Sequence, residues 1–137
     1  MADIPARPEY SSDLFKKGLE VRKAVLGADY VEQSLQKADD FFAAFQQLTT
    51  EVPWGQIWTR PGLARRDRSL IVLAMLVAMG KPAELKLHVR GALTNGVTRD
   101  EIKEIFLQGC IYAGVPAGLE AFKAAMETFK ELDAAKG

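Results

Sequence analysis

The sequence predicts an all-α protein, and three features of the chain lead to that class. Apolar residues recur every three to four positions through most of the chain, which is helical spacing. No stretch shows the strict alternation of apolar and polar residues that a half-buried strand needs. Glycine, proline and capping residues separate the periodic stretches. We therefore expect a compact bundle of about six helices, without a sheet, in a single domain over residues 1–137.

The first helix is expected after an N-terminal segment that lacks apolar periodicity. Residues 1–10 contain two prolines and favour an arm that is flexible or exchanged between subunits. Ser11 and Ser12 are candidate N-caps for the helix that follows, and Gly27 is placed to end it.

A second periodic stretch covers residues 30–50, with a possible break near Gln36. Phe41, Phe42 and Phe45 lie on this stretch at helical spacing. Aromatic residues with such spacing usually pack in a core rather than bind a cofactor, so we expect these three in the core.

The pattern then breaks in the segment EVPWGQIWTRPGLARR, which predicts an irregular connection. Loops of this length inside a compact domain are often functional. Trp54 and Trp58 offer broad apolar walls, and the cations Arg60, Arg65, Arg66 and Arg68 lie in or just after the segment. Clustered arginines suit a small anionic ligand. They could instead be solvated charges at a helix start, although positive charge there opposes the macrodipole.

A helix over residues 64–79 is apolar on all sides through its second half. Such a helix must be covered all round, so we expect it at the centre of the bundle and also covered by a second subunit. Pro82 is placed to begin the next helix, and the capping-box pattern T-x-x-E at Thr98 begins another. Pro116 is placed to begin the last helix.

The helix after Pro82 carries the only histidine, His88, with Glu84 four residues before it. Residues four apart share a helix face, so the carboxylate could orient the imidazole and favour its protonated form. Because histidine exchanges protons near neutral pH, the pair is a candidate for proton-transfer chemistry. The alternative is a half-buried histidine with an incidental carboxylate neighbour.

Composition excludes several other functions. Lys plus Arg and Asp plus Glu number 18 each, which gives no support for binding nucleic acid or an anionic membrane. Cys110 is the only cysteine, so we expect a buried structural thiol in a reducing cytoplasm. No spacing of ligand residues matches a metal site. The N-terminus does not read as a signal peptide, and the longest apolar run is too short to span a bilayer.

Three blocks, WGQIWTRPGL, RRDRSLIVLAMLVAMGKPAELKLHVRGALTNGVTRDEIKEI and YAGVPAG, carry a specific resemblance. In this order and spacing they resemble the carboxymuconolactone decarboxylase family, over about residues 13–131. The related alkylhydroperoxidase branch has a CxxC-x3-H motif. With its histidine placed on His88, Lys81 and Glu84 occupy the two cysteine positions, so thiol-dependent peroxidase activity is not expected.

The resemblance implies an all-helical, cytoplasmic carboxy-lyase that needs neither cofactor nor metal and assembles as a homotrimer or homohexamer. The implied reaction converts 4-carboxymuconolactone to β-ketoadipate enol-lactone in protocatechuate catabolism. The alternatives are another small carboxylated lactone as substrate, or a non-catalytic protein that binds a ligand or assembles. The implied catalytic residues are His88 and Glu84, and the implied substrate-binding residues are Trp54, Trp58, Arg60, Arg68 and Tyr112.

Overall fold

The computed structural model describes residues 4–136, and within that range the chain is helical and contains no strand. The predicted all-α class is confirmed, but the expected count of about six helices is too low, because seven α-helices are present. A 3₁₀ turn at Pro8–Tyr10 and a π-helix at Thr50–Ile57 accompany them. The α-helices are α1 (Asp13–Leu26), α2 (Ala28–Lys37), α3 (Asp40–Thr49), α4 (Arg65–Met79), α5 (Pro82–Thr94), α6 (Arg99–Ala113) and α7 (Val115–Lys136).

The chain forms two compact units, one that ends at Leu63 and one that begins at Ala64. The sequence-based expectation of a single domain therefore stays a prediction. The first unit contains α1 to α3 and the π-helix, and the second contains α4 to α7.

The additional helix arises because the stretch at residues 30–50 is divided into α2 and α3. Ala38 is extended, with ψ of 127°, which ends α2. Asp39 then caps α3, since its side chain accepts a hydrogen bond from the backbone N–H of Phe42. An N-cap aspartate satisfies one of the free N–H groups of a helix start, so it favours a new helix at this point.

The core of the first unit joins the start of the chain to α1, α2 and α3. The rings of Tyr10 and Phe15 stack with centroids 4.9 Å apart. Both rings are buried in a cluster with residues of α2 and α3. Of the predicted arm at residues 1–10, residues 1–3 lie outside the described part. Arg7 is hydrogen-bonded to the Asp40 carboxylate and to a backbone carbonyl, at 2.7 and 2.9 Å.

The prediction that Phe41, Phe42 and Phe45 pack in the core is wrong for this chain. Phe41 is 91% exposed, and the other two rings are also exposed. The unit's interior instead receives Ala43 and Gln46 from α3. Helical spacing identified the apolar stripe correctly, but it does not determine which side of a helix the rest of the chain covers.

The segment expected to be an irregular connection begins as a π-helix, which continues directly from α3. Its wider turn is seen where the Trp58 N–H donates to the Pro53 carbonyl, five residues earlier, at 2.8 Å. Pro53 has no N–H to donate and disturbs the α-helical ladder, which favours a local change of helix type. The chain leaves helical structure only after Ile57.

The second unit has a larger apolar core, built from the inward faces of α4, α5, α6 and α7. Its buried residues include Leu73, Leu85, Val89, Phe106 and Ala121. The predicted capping box opens α6 and is confirmed, because Thr98 and Glu101 each bond the other's backbone N–H. Gly80 ends α4 in the left-handed region, with φ of 65°, which suits glycine.

One prediction about burial in this unit is corrected, that for Cys110, while the cover of α4 by a second subunit stays a prediction. Helix α4 is buried on one side only, and Ile71, Met75 and Met79 on its other side are exposed. Cys110 is half-buried rather than buried, and its sulfur packs against the backbone of Gly118. Among residues 4–136, no helix has the length and apolar character needed to cross a membrane.

Candidate active site

The residues predicted to form a site are divided between the two units. Trp54, Trp58 and Arg60 belong to the first unit, whereas Arg68, Glu84, His88 and Tyr112 belong to the second. Each group is described within its own unit.

Trp54 and Trp58 form a pair in the first unit. Their ring centroids lie 4.8 Å apart with an angle of 32° between the rings, and both side chains are buried. On a π-helix, residues four apart are rotated about the helix axis differently from residues four apart on an α-helix. The angle between the two tryptophan rings therefore depends on the π-helical turn. The two rings present an apolar surface, and each indole N–H can donate a hydrogen bond.

Arg60 lies just beyond the tryptophan pair, where the chain turns out of the π-helix. Its backbone N–H donates to the Ile57 carbonyl at 3.0 Å. The residue is exposed, so its guanidinium is accessible to an anionic ligand. This placement puts Arg60 two residues after Trp58 and six after Trp54 on one short segment.

In the second unit, helical geometry places Glu84 and His88 on one face of α5. Gly91 and Asn95 continue the same face, since the positions follow one another at three or four residues. The Asn95 side-chain amide donates to the Ser69 hydroxyl of α4 at 2.9 Å. This bond joins α5 to α4 near one end of the shared face. Glu84 is exposed, near the N-terminal end of α5, where the helix dipole favours a negative charge.

Burial lowers the pKa of His88 to about 4, because the apolar surroundings disfavour the charged imidazolium. The direction is opposite to the expectation that Glu84 would favour the protonated form. At neutral pH the ring is therefore uncharged, with one N–H donor and one nitrogen acceptor. A neutral imidazole of this kind can donate a hydrogen bond to a developing oxyanion.

The arginines at the start of α4 have different environments. The Arg66 guanidinium forms an ion pair with the carboxylate of Glu101 in the capping box of α6. Arg65 is exposed, and Arg68 is half-buried. Arg65 and Arg68 differ in exposure, and the half-buried position of Arg68 is the one of the two that lies partly inside the second unit.

Tyr112 lies in a different place from the face of α5. It lines an apolar groove of about 400 Å³ between α4 and α6, with Ile71, Ala74 and Gln108 among its neighbours there. Neither Glu84 nor His88 lines this groove. Tyr112 is 85% exposed, so within its own unit the structure does not bring it to the histidine.

Sequence reasoning missed two groups of polar residues that hold these elements. Ser69 is buried and accepts the Asn95 bond described above. Arg22 of α1 is also buried, with Gln46 and Thr50 as partners. Arg22 stands beside the apolar Val21 and Val25 of α1, and a charge among buried positions is the signal that could have identified it.

No group of three or more His, Cys, Asp and Glu side chains is placed to hold a metal ion within the range 4–136.

Comparison with known proteins identifies the family. The model of the carboxymuconolactone decarboxylase family matches residues 43–127. The chain is 47% identical to 4-carboxymuconolactone decarboxylase of Acinetobacter baylyi, over 86% of this chain and 88% of that protein. This chain belongs to the carboxymuconolactone decarboxylase family.

Two other relatives extend the comparison within the family. The chain is 41% identical to nitrosuccinic acid decarboxylase of Metarhizium robertsii, over 96% of this chain and 92% of the relative. It is 33% identical to an uncharacterised 15.0 kDa protein of Paracoccus denitrificans, over 66% of this chain and 74% of that protein. Both relatives with a stated activity are decarboxylases.

The low pKa of His88 predicts a specific dependence of stability on pH. The unfolded chain binds a proton at His88 below about pH 6.5, whereas the folded chain binds it only near pH 4. The free energy of unfolding should therefore fall by up to about 3 kcal/mol from this residue as pH drops through that window. Urea unfolding at several pH values measures it, with His88→Gln as the control. Equal slopes in the two proteins would contradict the burial of a neutral His88.

Proposed function

We propose that this protein decarboxylates 4-carboxymuconolactone to β-ketoadipate enol-lactone without a cofactor, as a step of protocatechuate catabolism. The observation that carries the proposal is the 47% identity to a 4-carboxymuconolactone decarboxylase over most of both chains. The half-buried, uncharged His88, on one helix face with Glu84, supports it chemically. A catabolic enzyme of this kind is expected in the cytoplasm, where Cys110 would stay reduced.

The substrate supplies its own electron sink. The departing carboxylate is attached to the ring carbon γ to the lactone carbonyl. When its C–C bond breaks and CO₂ leaves, the electron pair moves through the ring alkene into the carbonyl, giving a dienolate. Protonation at the α carbon then forms the enol-lactone. Because the ring accepts the charge, the protein needs to stabilise an oxyanion and deliver one proton.

In this proposal His88 donates its N–H to the lactone carbonyl oxygen as negative charge develops there. A donor that is uncharged and buried gains most when the oxyanion forms, so it stabilises the transition state more than the substrate. Glu84, which is exposed, would relay a proton from solvent to the α carbon.

The remaining predicted residues are proposed to bind the substrate. Arg60 would hold the acetate arm, because an arginine paired with the departing carboxylate would stabilise the ground state and slow the reaction. Trp54 and Trp58 would provide the apolar surface that excludes water. Arg68 would add positive charge, and Tyr112 would be a further substrate contact.

Purified protein should release CO₂ from 4-carboxymuconolactone and form the enol-lactone without added metal or cofactor. His88→Ala should lower kcat by ~100-fold or more, since the oxyanion loses its donor. His88→Gln should restore part of that loss, because the amide keeps an N–H donor for the oxyanion. Product analysis by absorbance and CO₂ release measures both rates.

One variant on α5 serves as a control, and one at Arg60 tests substrate binding. Thr94→Ala, exposed at the end of α5, should leave kcat unchanged. Arg60→Met should raise KM for the lactone more than it lowers kcat. Near-normal kcat in His88→Ala would remove His88 from the chemical step. No turnover by the unmodified protein would favour the alternative of another carboxylated lactone or a non-catalytic binding protein.

A second candidate substrate is suggested by the relative that is a nitrosuccinic acid decarboxylase. Nitrosuccinate and 4-carboxymuconolactone share a succinate skeleton with an electron sink on the carbon that loses CO₂. The sink is a nitro group in one and the conjugated lactone in the other. Both leave a delocalised oxyanion, a nitronate or a dienolate, for which a neutral N–H donor is suited.

We therefore expect this protein to accelerate loss of CO₂ from nitrosuccinate above the enzyme-free rate, with 3-nitropropanoate as product. The kcat/KM should be lower than for the lactone, because the lactone ring adds apolar contact area. His88→Ala should lower both activities. Nitrosuccinate loss at the enzyme-free rate, with normal lactone turnover, would limit the protein to the lactone.

Assembly as a homotrimer or homohexamer is also proposed. It is supported by the apolar residues left exposed in the second unit, because contiguous exposed apolar surface usually marks an interaction site. These residues are Ile71, Met75, Met79, Leu107 and Ile111. The partner proposed for this surface is a second copy of the chain.

Met75→Glu should therefore reduce the mass in solution to that of one chain or of a smaller assembly, because it buries a charge in the interface. Sedimentation equilibrium measures the mass. Lys103→Glu, a charge change at an exposed position of α6, is the control and should keep the larger mass. A single-chain mass for the unmodified protein would refute the assembly.

A further inference from the structure

We propose that Arg22 is a positioning residue, the centre of a cradle on α1 that holds the π-helix and so sets the tryptophan pair and Arg60. The α1 cradle consists of Ser12, Leu14, Gly18 and Arg22. The inference rests on the substrate-binding role proposed above for Trp54, Trp58 and Arg60.

Arg22 bridges two turns of the neighbouring segment at the point where α3 becomes the π-helix. One terminal nitrogen of its guanidinium donates to the Gln46 amide oxygen at 2.8 Å and to the Thr50 hydroxyl at 3.0 Å. Arg22 is 6% exposed, and both partners are buried. Burial of a guanidinium is costly unless its hydrogen bonds are made, so this contact is specific in geometry.

The backbones of α1 and the π-helix meet one turn earlier along α1. A Cβ atom at Gly18 would lie 1.9 Å from the Thr50 carbonyl oxygen and 2.9 Å from the Gly55 nitrogen. No side chain fits between the two, so only glycine permits this approach. Gly55 is also close to α1, though less so, since a Cβ there would lie 2.9 Å from the Leu14 side chain and 3.0 Å from its carbonyl oxygen.

A third contact joins the start of α1 to the same segment. The Ser12 hydroxyl donates to the Glu51 carboxylate while its oxygen caps α1 by accepting from the Phe15 N–H. The α1 cradle therefore contacts residues 46–55 from successive turns of one helix.

The π-helix needs such support because its hydrogen-bond geometry is poorer than that of an α-helix, and it rarely persists beyond one or two turns. Trp54 lies within this π-helix and Trp58 caps its C-terminal end, and their rings are 4.8 Å apart. If the segment relaxed toward an α-helix, Trp54, Trp58 and Arg60 would each change direction. The cradle therefore connects α1, which carries no proposed site residue, to substrate binding.

The test is Arg22→Met, which keeps the apolar stem of the side chain but removes the hydrogen bonds to Gln46 and Thr50. Trp54 and Trp58 are the only tryptophans, so the tryptophan bands of the near-ultraviolet circular dichroism and fluorescence excited selectively at tryptophan report on this segment. We expect a changed tryptophan signal and a rise in KM for 4-carboxymuconolactone of ~10-fold, as for loss of a hydrogen bond to a charged group. The kcat should change by less than KM. Arg22→Lys, which keeps the charge, should recover part of both effects.

Leu19→Ala is the matched control, because Leu19 is also on α1 and packs against the core cluster that contains Tyr10 and Phe15. It should lower stability and leave the tryptophan signal and KM unchanged. If Arg22→Met does not fold, Thr50→Val removes one acceptor with little change of shape and is tested in the same way.

The outcomes separate the two proposals. An unchanged tryptophan signal in folded Arg22→Met and Thr50→Val would overturn the cradle. A changed signal with normal KM would support the cradle and overturn the substrate-binding role of the tryptophans. An Arg22→Met protein with the same KM as Leu19→Ala and the same tryptophan signal would show that Arg22 contributes stability only.

Discussion

Burial of one face of α5 determines where its polar residues lie. Leu85, Val89 and Ala92 are all buried against the rest of the second unit, which fixes the rotation of the helix about its axis. Glu84 and His88 are then held on an adjacent face, and Asn95 reaches Ser69. The apolar core thus provides the alignment on which the proposed chemistry depends, and it also supplies the low polarity that keeps the imidazole uncharged.

The sequence predicted the helices of the second unit well because each has its own start or stop signal. Pro82 and the T-x-x-E box at Thr98 mark helix starts, and Gly80 marks an end. Such signals act within a few residues, so they can be recognised in a single sequence. The division of α2 from α3 at Ala38 was harder to predict, because it depends on one extended residue in a continuous apolar pattern.

Other features could not be predicted, because they depend on contacts between residues far apart in sequence. Phe41 has the spacing of a core residue, but spacing does not say which surface covers a helix face. The π-helix requires the close approach of Gly18 to Thr50, across 32 positions of sequence. For the site, residue types identified Glu84 and His88, but the protonation state of His88 follows from burial in three dimensions. The sequence likewise offered no way to foresee that Arg66 pairs with Glu101.

The carboxylate of Glu101 makes two contacts at once. It accepts from the Thr98 N–H at the start of α6 and also pairs with Arg66 at the start of α4, and these contacts together lower its pKa. A glutamine at position 101 would keep the first contact and weaken the second, and loss of Arg66 would also remove only the second. The capping box of α6 can therefore form without Arg66, whereas the link between the starts of α4 and α6 needs both a carboxylate at position 101 and a cation at position 66.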